Sequence, residues 1–243
     1  MAMWKKESRV FAFGDIHGCP DELGALLKAI DLGADDTVIF IGDYVDRGPS
    51  ARDVIDILID LKMRHPNTVF LKGNHEDMML AFMGMPGHYG ESFLFNGGFA
   101  TLQSYGIDET HILDDTCTDE VMSRLPQGHV DFLQNLETSH LRLPYLFVHA
   151  GVHPLRCLED QDAEDLLWIR QEFIANPHAL GHTVIFGHTP VREILIDLPY
   201  KIGLDTGLVY GGKLSCVEFT EGRCFQVARG SRKVTSRHVR ALR

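Results

Sequence analysis

Short, nearly unbroken apolar runs alternate with helical periodicity through the first part of the chain: RVFAF (9–13), ELGALLKAI (22–30), TVIFI (37–41), ARDVIDILIDLKMRH (51–65) and TVFLK (68–72). Runs without polar alternation suit strands covered on both faces, as parallel strands are. Within 51–65, Val54, Ile55, Leu58, Ile59 and Met63 recur at helical spacing, which predicts an amphipathic helix. The order is β-α-β-α-β, and such crossovers build a parallel sheet.

Residues 76–142 read as helical, with glycine-rich breaks at 84–90 and 96–98 and a stop at Pro126. Strand signals return at PYLFVHA (144–150), HTVIFGH (182–188), EILIDL (193–198), KIGLDT (201–206), KLSCVEF (213–219) and CFQVA (224–228), with a helix expected over AEDLLWIRQEFI (163–174). The close spacing after residue 182 predicts antiparallel pairing. An α/β fold with two mixed sheets follows, as one domain over residues 1–228 with a C-terminal tail at 229–243.

Composition narrows the class. With 44% hydrophobic and 23% charged residues in 243, a sizeable core is possible and a disordered or collagen-like chain is excluded. No apolar run approaches the ~18 residues that would span a bilayer, and MAMWKKESRV lacks the features of a signal peptide. Cys19, Cys117, Cys157, Cys216 and Cys224 are scattered without CxxC spacing, so neither a disulfide framework nor a thiolate zinc site is expected, and a reducing cytoplasm fits. The net charge of -11 argues against nucleic-acid and membrane partners. The exception is the tail, where Arg229, Arg232, Lys233, Arg237, Arg240 and Arg243 occur with no acid. It reads as a solvated, frayed end, or else as an arm for an anionic partner.

The chemistry concentrates where strands give way to loops. GDIHG (14–18), GDYVDRG (42–48) and GNHE (73–76) follow the first three strands, and in open α/β sheets ligands bind beyond the carboxyl ends of the strands, so these loops should converge. Asp15 and His17, two residues apart, can face one ion, and Asp43 and Asn74 add oxygen ligands. His149 in VHAG and His188 in FGHT each end a later apolar strand and can complete a second site. With Asp43 as bridge, one ion takes Asp15 and His17 and the other takes Asn74, His149 and His188. This mix of oxygen and imidazole suits manganese, iron or zinc better than calcium or magnesium. Two such ions ~3.5–4 Å apart can share a water and lower its pKa.

His75 follows Asn74 and points differently along the loop, as a candidate general acid whose imidazole Asp46 would orient. Arg47 and Arg170 are candidate phosphate clamps, since guanidinium pairs oxyanions bidentately. His65, His88, His111, His129, His140, His178, His182 and His238 lack this context and are read as structural; no role is assigned to His153, Tyr210 or Cys19.

GDIHG, GDYVDRG, GNHE, HAG and GHT, in this order over about residues 9–219, resemble the motif set of the phosphoprotein phosphatase branch of calcineurin-like metallophosphoesterases. The resemblance implies a four-layer αββα sandwich, two divalent ions (manganese foremost, iron or zinc as alternatives) on the ligands above, and the acid pair His75 and Asp46. It also implies phosphate-binding arginines, matching Arg47 and, through LWIR (167–170), Arg170. The implied activity is in-line attack of a metal-bridging hydroxide on a phosphoprotein or small phosphate ester. The compact length, GDIHGC, FNGG (95–98) and the GLDTG and GGKLSC ending look like the small bacterial serine/threonine phosphatases. The rival in the superfamily is the symmetrical dinucleoside tetraphosphatase. Those enzymes usually lack residues like Asp46 and Glu76, so DRG and NHE favour the protein phosphatase. No ligand or acid is missing, which disfavours a binding module that has lost catalysis.

Overall fold

The computed structural model describes residues 8–108 and 117–242, and of residues 117–120 the backbone alone. His111, Arg243 and part of the segment read as helical lie outside the described residues. The opening β-α-β-α-β is realised as β1 (Val10–Phe13), α1 (Pro20–Ala29), β2 (Thr37–Phe40), α2 (Ala51–Arg64) and β3 (Thr68–Phe70). β1, β2 and β3 pair in parallel, with Phe13 opposite Phe40 and Phe40 opposite Phe70. Pro20 opens α1 where its missing N–H costs nothing. Ser50 caps α2 by accepting from the Asp53 N–H at 3.2 Å. α2 buries Val54, Ile55, Leu58 and Leu61, whereas Met63, counted in the apolar stripe, is 70% exposed.

The middle of the chain carries α3 (Asn74–Phe82), α4 (Gly98–Ser104), α5 (Cys117–Arg124) and α6 (Gln127–Gln134). Its end departs from the helical reading: β4 (Ser139–Arg142) pairs antiparallel with β5 (Tyr145–Val148) at a sheet edge. The expected helix over 163–174 is two, α7 (Ala163–Trp168) and α8 (Gln171–Ile174), because Ile169 at ψ 142 and Arg170 at φ -130, ψ -101 both leave helical geometry. β6 (Thr183–Phe186), β7 (Leu195–Asp197), β8 (Lys201–Gly203), β9 (Lys213–Glu218) and β10 (Arg223–Ala228) follow. The antiparallel expectation holds for β7–β8 and β9–β10. It fails for β6–β8, which are parallel because β7 folds back on the outer edge of β8.

The sheets run β11-β10-β9-β1-β2-β3 and β4-β5-β6-β8-β7. β11 is Val234–His238, inside the segment read as a frayed tail, and it pairs antiparallel with β10 from Val234 opposite Val227 to His238 opposite Arg223. Tail cations pair with carboxylates of the body: Arg229 meets the buried Glu22 at 2.7 Å, while at the surface Arg232 meets Asp21 at 3.0 Å and Arg237 meets Glu193 at 3.3 Å. Carboxylates of the chain itself thus take up charge that the alternative reading gave to an outside anion.

Three apolar clusters define four layers. Ala12, Ile39, Ile41 and Val217 of one sheet face Phe147, Ile185 and Ile202 of the other. Leu23 and Leu26 of α1 with Val54 and Leu58 of α2 cover the outer face of the first sheet against Phe11, Phe13 and Phe40. Leu166, Ile169 and Phe173 cover the second against Leu146, Val148 and Val184. The fold is therefore an αββα sandwich of two mixed sheets. Among the described residues no helix is long and apolar enough to cross a membrane.

Candidate metal centre and phosphate cleft

The loops after β1, β2, β3, β5 and β6 meet over the inner sheets. Asp43 divides its carboxylate between two clusters, with Oδ2 3.4 Å from His17 Nε2 and Oδ1 3.4 Å from His149 Nε2. Asn74 Oδ1 lies 3.0 Å from His149 Nε2 and 2.9 Å from His188 Nδ1. Asp15 Oδ2 accepts from the His188 N–H at 2.9 Å, while Asp15 Oδ1 and His188 Nε2 are buried without a hydrogen-bond partner. The six predicted ligands are brought together, all buried. Donor atoms of His17, Asp43 and His75 form one close group and those of Asp43, His149 and His188 another, so His75 stands nearer the first site than the sequence suggested.

Backbone carbonyls fix the imidazoles. His17 Nδ1 sits 2.9 Å from Val45 O and His149 Nδ1 sits 2.8 Å from Ile41 O. A carbonyl can only accept, so Nδ1 carries the proton and Nε2 turns a bare lone pair toward Asp43. Burial pushes His17 down to about 3 and His188 down to about 2, and lowers His149 as well, keeping all three neutral at working pH. Neutral imidazole is the ligating form.

The carboxyls tell the complementary story. Burial, then repulsion from Asp205 and Asp43, drives Asp15 well above the usual carboxylate range, and burial brings Asp205 up to about 6. Several buried acids beside neutral imidazoles call for added positive charge. With unpartnered atoms on Asp15 and His188 and both oxygens of Asp43 engaged, the donor set fits two divalent cations.

This convergence distorts the backbone. Of the six non-glycine residues with positive φ among the described residues, five are His17, Asp43, Asp46, Arg47 and His188. Such conformations are costly and gather where a site over-determines them. Gly187 is needed for room, since a Cβ there would collide with the Asp15 carboxylate.

His75 Nδ1 lies 2.6 Å from Asp46 Oδ2. Burial opposes protonation of His75, but Asp43 and the bond to Asp46 outweigh it and hold the imidazole above its ordinary value. Asp46 is itself fixed by Thr101, whose Oγ1 donates to Oδ1 at 2.7 Å and accepts from the Asp46 N–H at 2.8 Å. Arg47 Nη1 reaches His17 Nε2 at 2.8 Å and its guanidinium lies 5.4 Å from the Tyr210 ring centre. Arg170 Nη1 donates to His188 O at 3.2 Å, a reach set by the break between α7 and α8. Both arginines line a cavity of about 70 Å³ with His75, Asp205 and Tyr210.

Asp205, Thr101 and Tyr210 were assigned no role from sequence. Asp205 alone had a signal, since it lies just beyond the carboxyl end of β8 as the predicted ligands do on their strands. Cys19 is buried, its thiol donating to His17 O at 3.2 Å and pushed up to about 12 by burial, so it supports the loop and is no nucleophile. His153 lies 3.3 Å from Glu172, apart from the centre. His88 pairs with Asp77, His129 with Tyr105 and Asp56, His140 with Glu137, and His178 with Tyr200 O.

An αββα sandwich with two ligand clusters sharing one carboxylate defines a metallophosphoesterase. The calcineurin-like phosphoesterase profile matches residues 8–217, and the chain belongs to that family. It is similar to the asymmetrical bis(5'-nucleosyl)-tetraphosphatase PrpE of Oceanobacillus iheyensis, 24% identical over 90% of this chain and 92% of the relative. It is also similar to serine/threonine-protein phosphatase 1 of Salmonella typhimurium, 28% identical over 87% and 92%. A solved structure proposed to be a diadenosine tetraphosphatase covers 93% of this chain and 96% of its own at 24% identity and TM-score 0.68. A serine/threonine phosphatase from Saccharomyces cerevisiae covers 96% and 80% at 18% identity and TM-score 0.59. These structural likenesses concern the fold.

Proposed function

We propose that the protein is a metal-dependent phosphomonoesterase acting on phosphoserine and phosphothreonine in proteins. The observation that carries this reading is the buried His75–Asp46 pair at 2.6 Å beside the two ligand clusters. A serine or threonine alkoxide is a poor leaving group and needs a proton as it departs, whereas a nucleoside polyphosphate leaves as a stabilised anion. Asp46 occupies Nδ1 of His75, so Nε2 delivers that proton. Asp15 and His17 would hold one cation and Asn74, His149 and His188 the other, with Asp43 available to each. When bound, the cations, manganese foremost on this donor set, supply the Lewis acidity that deprotonates a water and offsets phosphoryl charge. Arg47 and Arg170 hold the phosphoryl oxygens in line. Among the described residues Cys19, Cys157, Cys216 and Cys224 are free thiols, which supports a cytoplasmic setting.

A second reading, a dinucleoside tetraphosphatase, is favoured by the PrpE relative. From sequence the rival was the symmetrical enzyme; the relative is named asymmetrical, and the products from diadenosine tetraphosphate distinguish the two, two ADP against ATP and AMP. The test is kcat/KM on phosphoserine, phosphothreonine and phosphotyrosine peptides and on diadenosine tetraphosphate, with manganese supplied. Phosphoserine or phosphothreonine is expected to rank first; a clear preference for the dinucleotide would overturn the proposal.

A further inference from the structure

Glu76, used above only to separate two subfamilies, is wholly buried and makes contacts the chemistry so far has not explained. Its Oε1 accepts from the backbone N–H of Tyr44 at 2.7 Å and of Val45 at 3.1 Å. Its Oε2 accepts from the N–H of Asp43 and of Gly73, both at 2.9 Å. Four directed donors occupy the lone pairs of one carboxylate. Three belong to the loop after β2 and one to Gly73, the residue that caps the start of α3. Gly73 has no side chain in the way, and a Cβ there would run into both Asp43 and Glu76.

The gripped segment, Asp43 to Val45, ends immediately before Asp46, while His75 immediately precedes Glu76 on its own helix. The two partners of the acid pair therefore flank the carboxylate on either side of the junction it closes. We infer that Glu76 is a positioning residue for proton transfer to the leaving group: its carboxylate sets the separation of Asp46 from His75 by locking the loop after β2 against the start of α3. The inference rests on the phosphoesterase reading above.

Glu76→Gln preserves shape and replaces one acceptor oxygen with an NH2 that faces two N–H groups, so two hydrogen bonds become repulsive contacts. The loop must retreat locally, and misplacement of about 1 Å can cost ~10²-fold in rate. A loss of proton delivery reads out differently from a general loss of structure. Hydrolysis of p-nitrophenyl phosphate, whose leaving group needs little protonation, should suffer much less than hydrolysis of a phosphoserine peptide.

With manganese saturating, Glu76→Gln is expected to lower the kcat ratio of phosphoserine peptide to p-nitrophenyl phosphate by on the order of 10–100-fold, with KM close to wild type. An unchanged ratio, whether both rates fall together or neither does, would overturn the inference. If Glu76→Gln does not fold, Glu76→Asp keeps the charge but withdraws it by one methylene; the same fall is expected, and an unchanged ratio again contradicts the role. A wild-type protein inert toward both substrates would overturn the phosphoesterase reading and this inference with it, an outcome distinguishable from a change confined to the variant.

Discussion

His75 and Asp46 are 29 residues apart in the chain and 2.6 Å apart in the fold, both buried, with Thr101 holding the far oxygen of Asp46. Replacing His75 by Asn removes the proton donor and leaves the ligand set complete. Turnover of a phosphoserine peptide should fall by roughly 10²–10⁴-fold, with manganese content near that of wild type. Steady-state kinetics and elemental analysis on the same preparation check both halves.

Arg47 lies between His17 and the Tyr210 ring in a left-handed backbone conformation. Arg47→Lys keeps the charge and loses the planar fork that matches two phosphoryl oxygens. We expect kcat/KM to fall by about 10–100-fold, more than a point charge alone would predict. A value equal to wild type would remove Arg47 from phosphate binding.

Burial alone would raise the Asp36 carboxyl, but the Arg9 guanidinium and the Gly33 and Arg9 N–H groups hold it below the usual range. A depressed folded-state value stabilises the protein above the unfolded-state pKa of about 3.9 and is lost as pH falls through the folded-state value. Arg9→Met should therefore cost stability at pH 7, and the difference from wild type should shrink as pH falls below about 4. Urea unfolding at both pH values tests this, and a difference independent of pH would contradict it.

Most of the candidate centre was legible because each candidate ligand sits in a short glycine-bearing motif directly after an apolar strand, and both signals are local. β4 and β11 were not: SHLR and VTSRH are short edge strands with mostly exposed side chains, so neither alternation nor an apolar run marks them. The break at Ile169 and Arg170 was hidden because Leu166, Ile169 and Phe173 keep helical spacing across it and pack on the same sheet, Leu166 from α7, Phe173 from α8 and Ile169 from the link between them. Glu76 gave no sign of its role, since its partners are backbone N–H groups, which any sequence supplies.

Pairing of β11 makes the basic terminus part of the sheet. Ending the chain after Ala228 would strip a strand from β10 and leave Glu22, 1% exposed, without Arg229 and the Gly230 N–H. The truncated protein should be less stable by at least about 2 kcal/mol, measured by denaturant unfolding. Unaltered stability would return the segment to the frayed tail that its composition suggested.

One carboxylate, Asp43, faces both clusters and in the proposed centre serves two cation sites at once. Manganese bound per chain, measured by elemental analysis after equilibrium dialysis of wild type and Asp43→Asn, tests that directly. The expected result is two ions for wild type and weakened binding of both in the variant, because the bridge is lost at each. One ion in wild type, or loss of a single ion with the other held at full affinity, would contradict the shared centre.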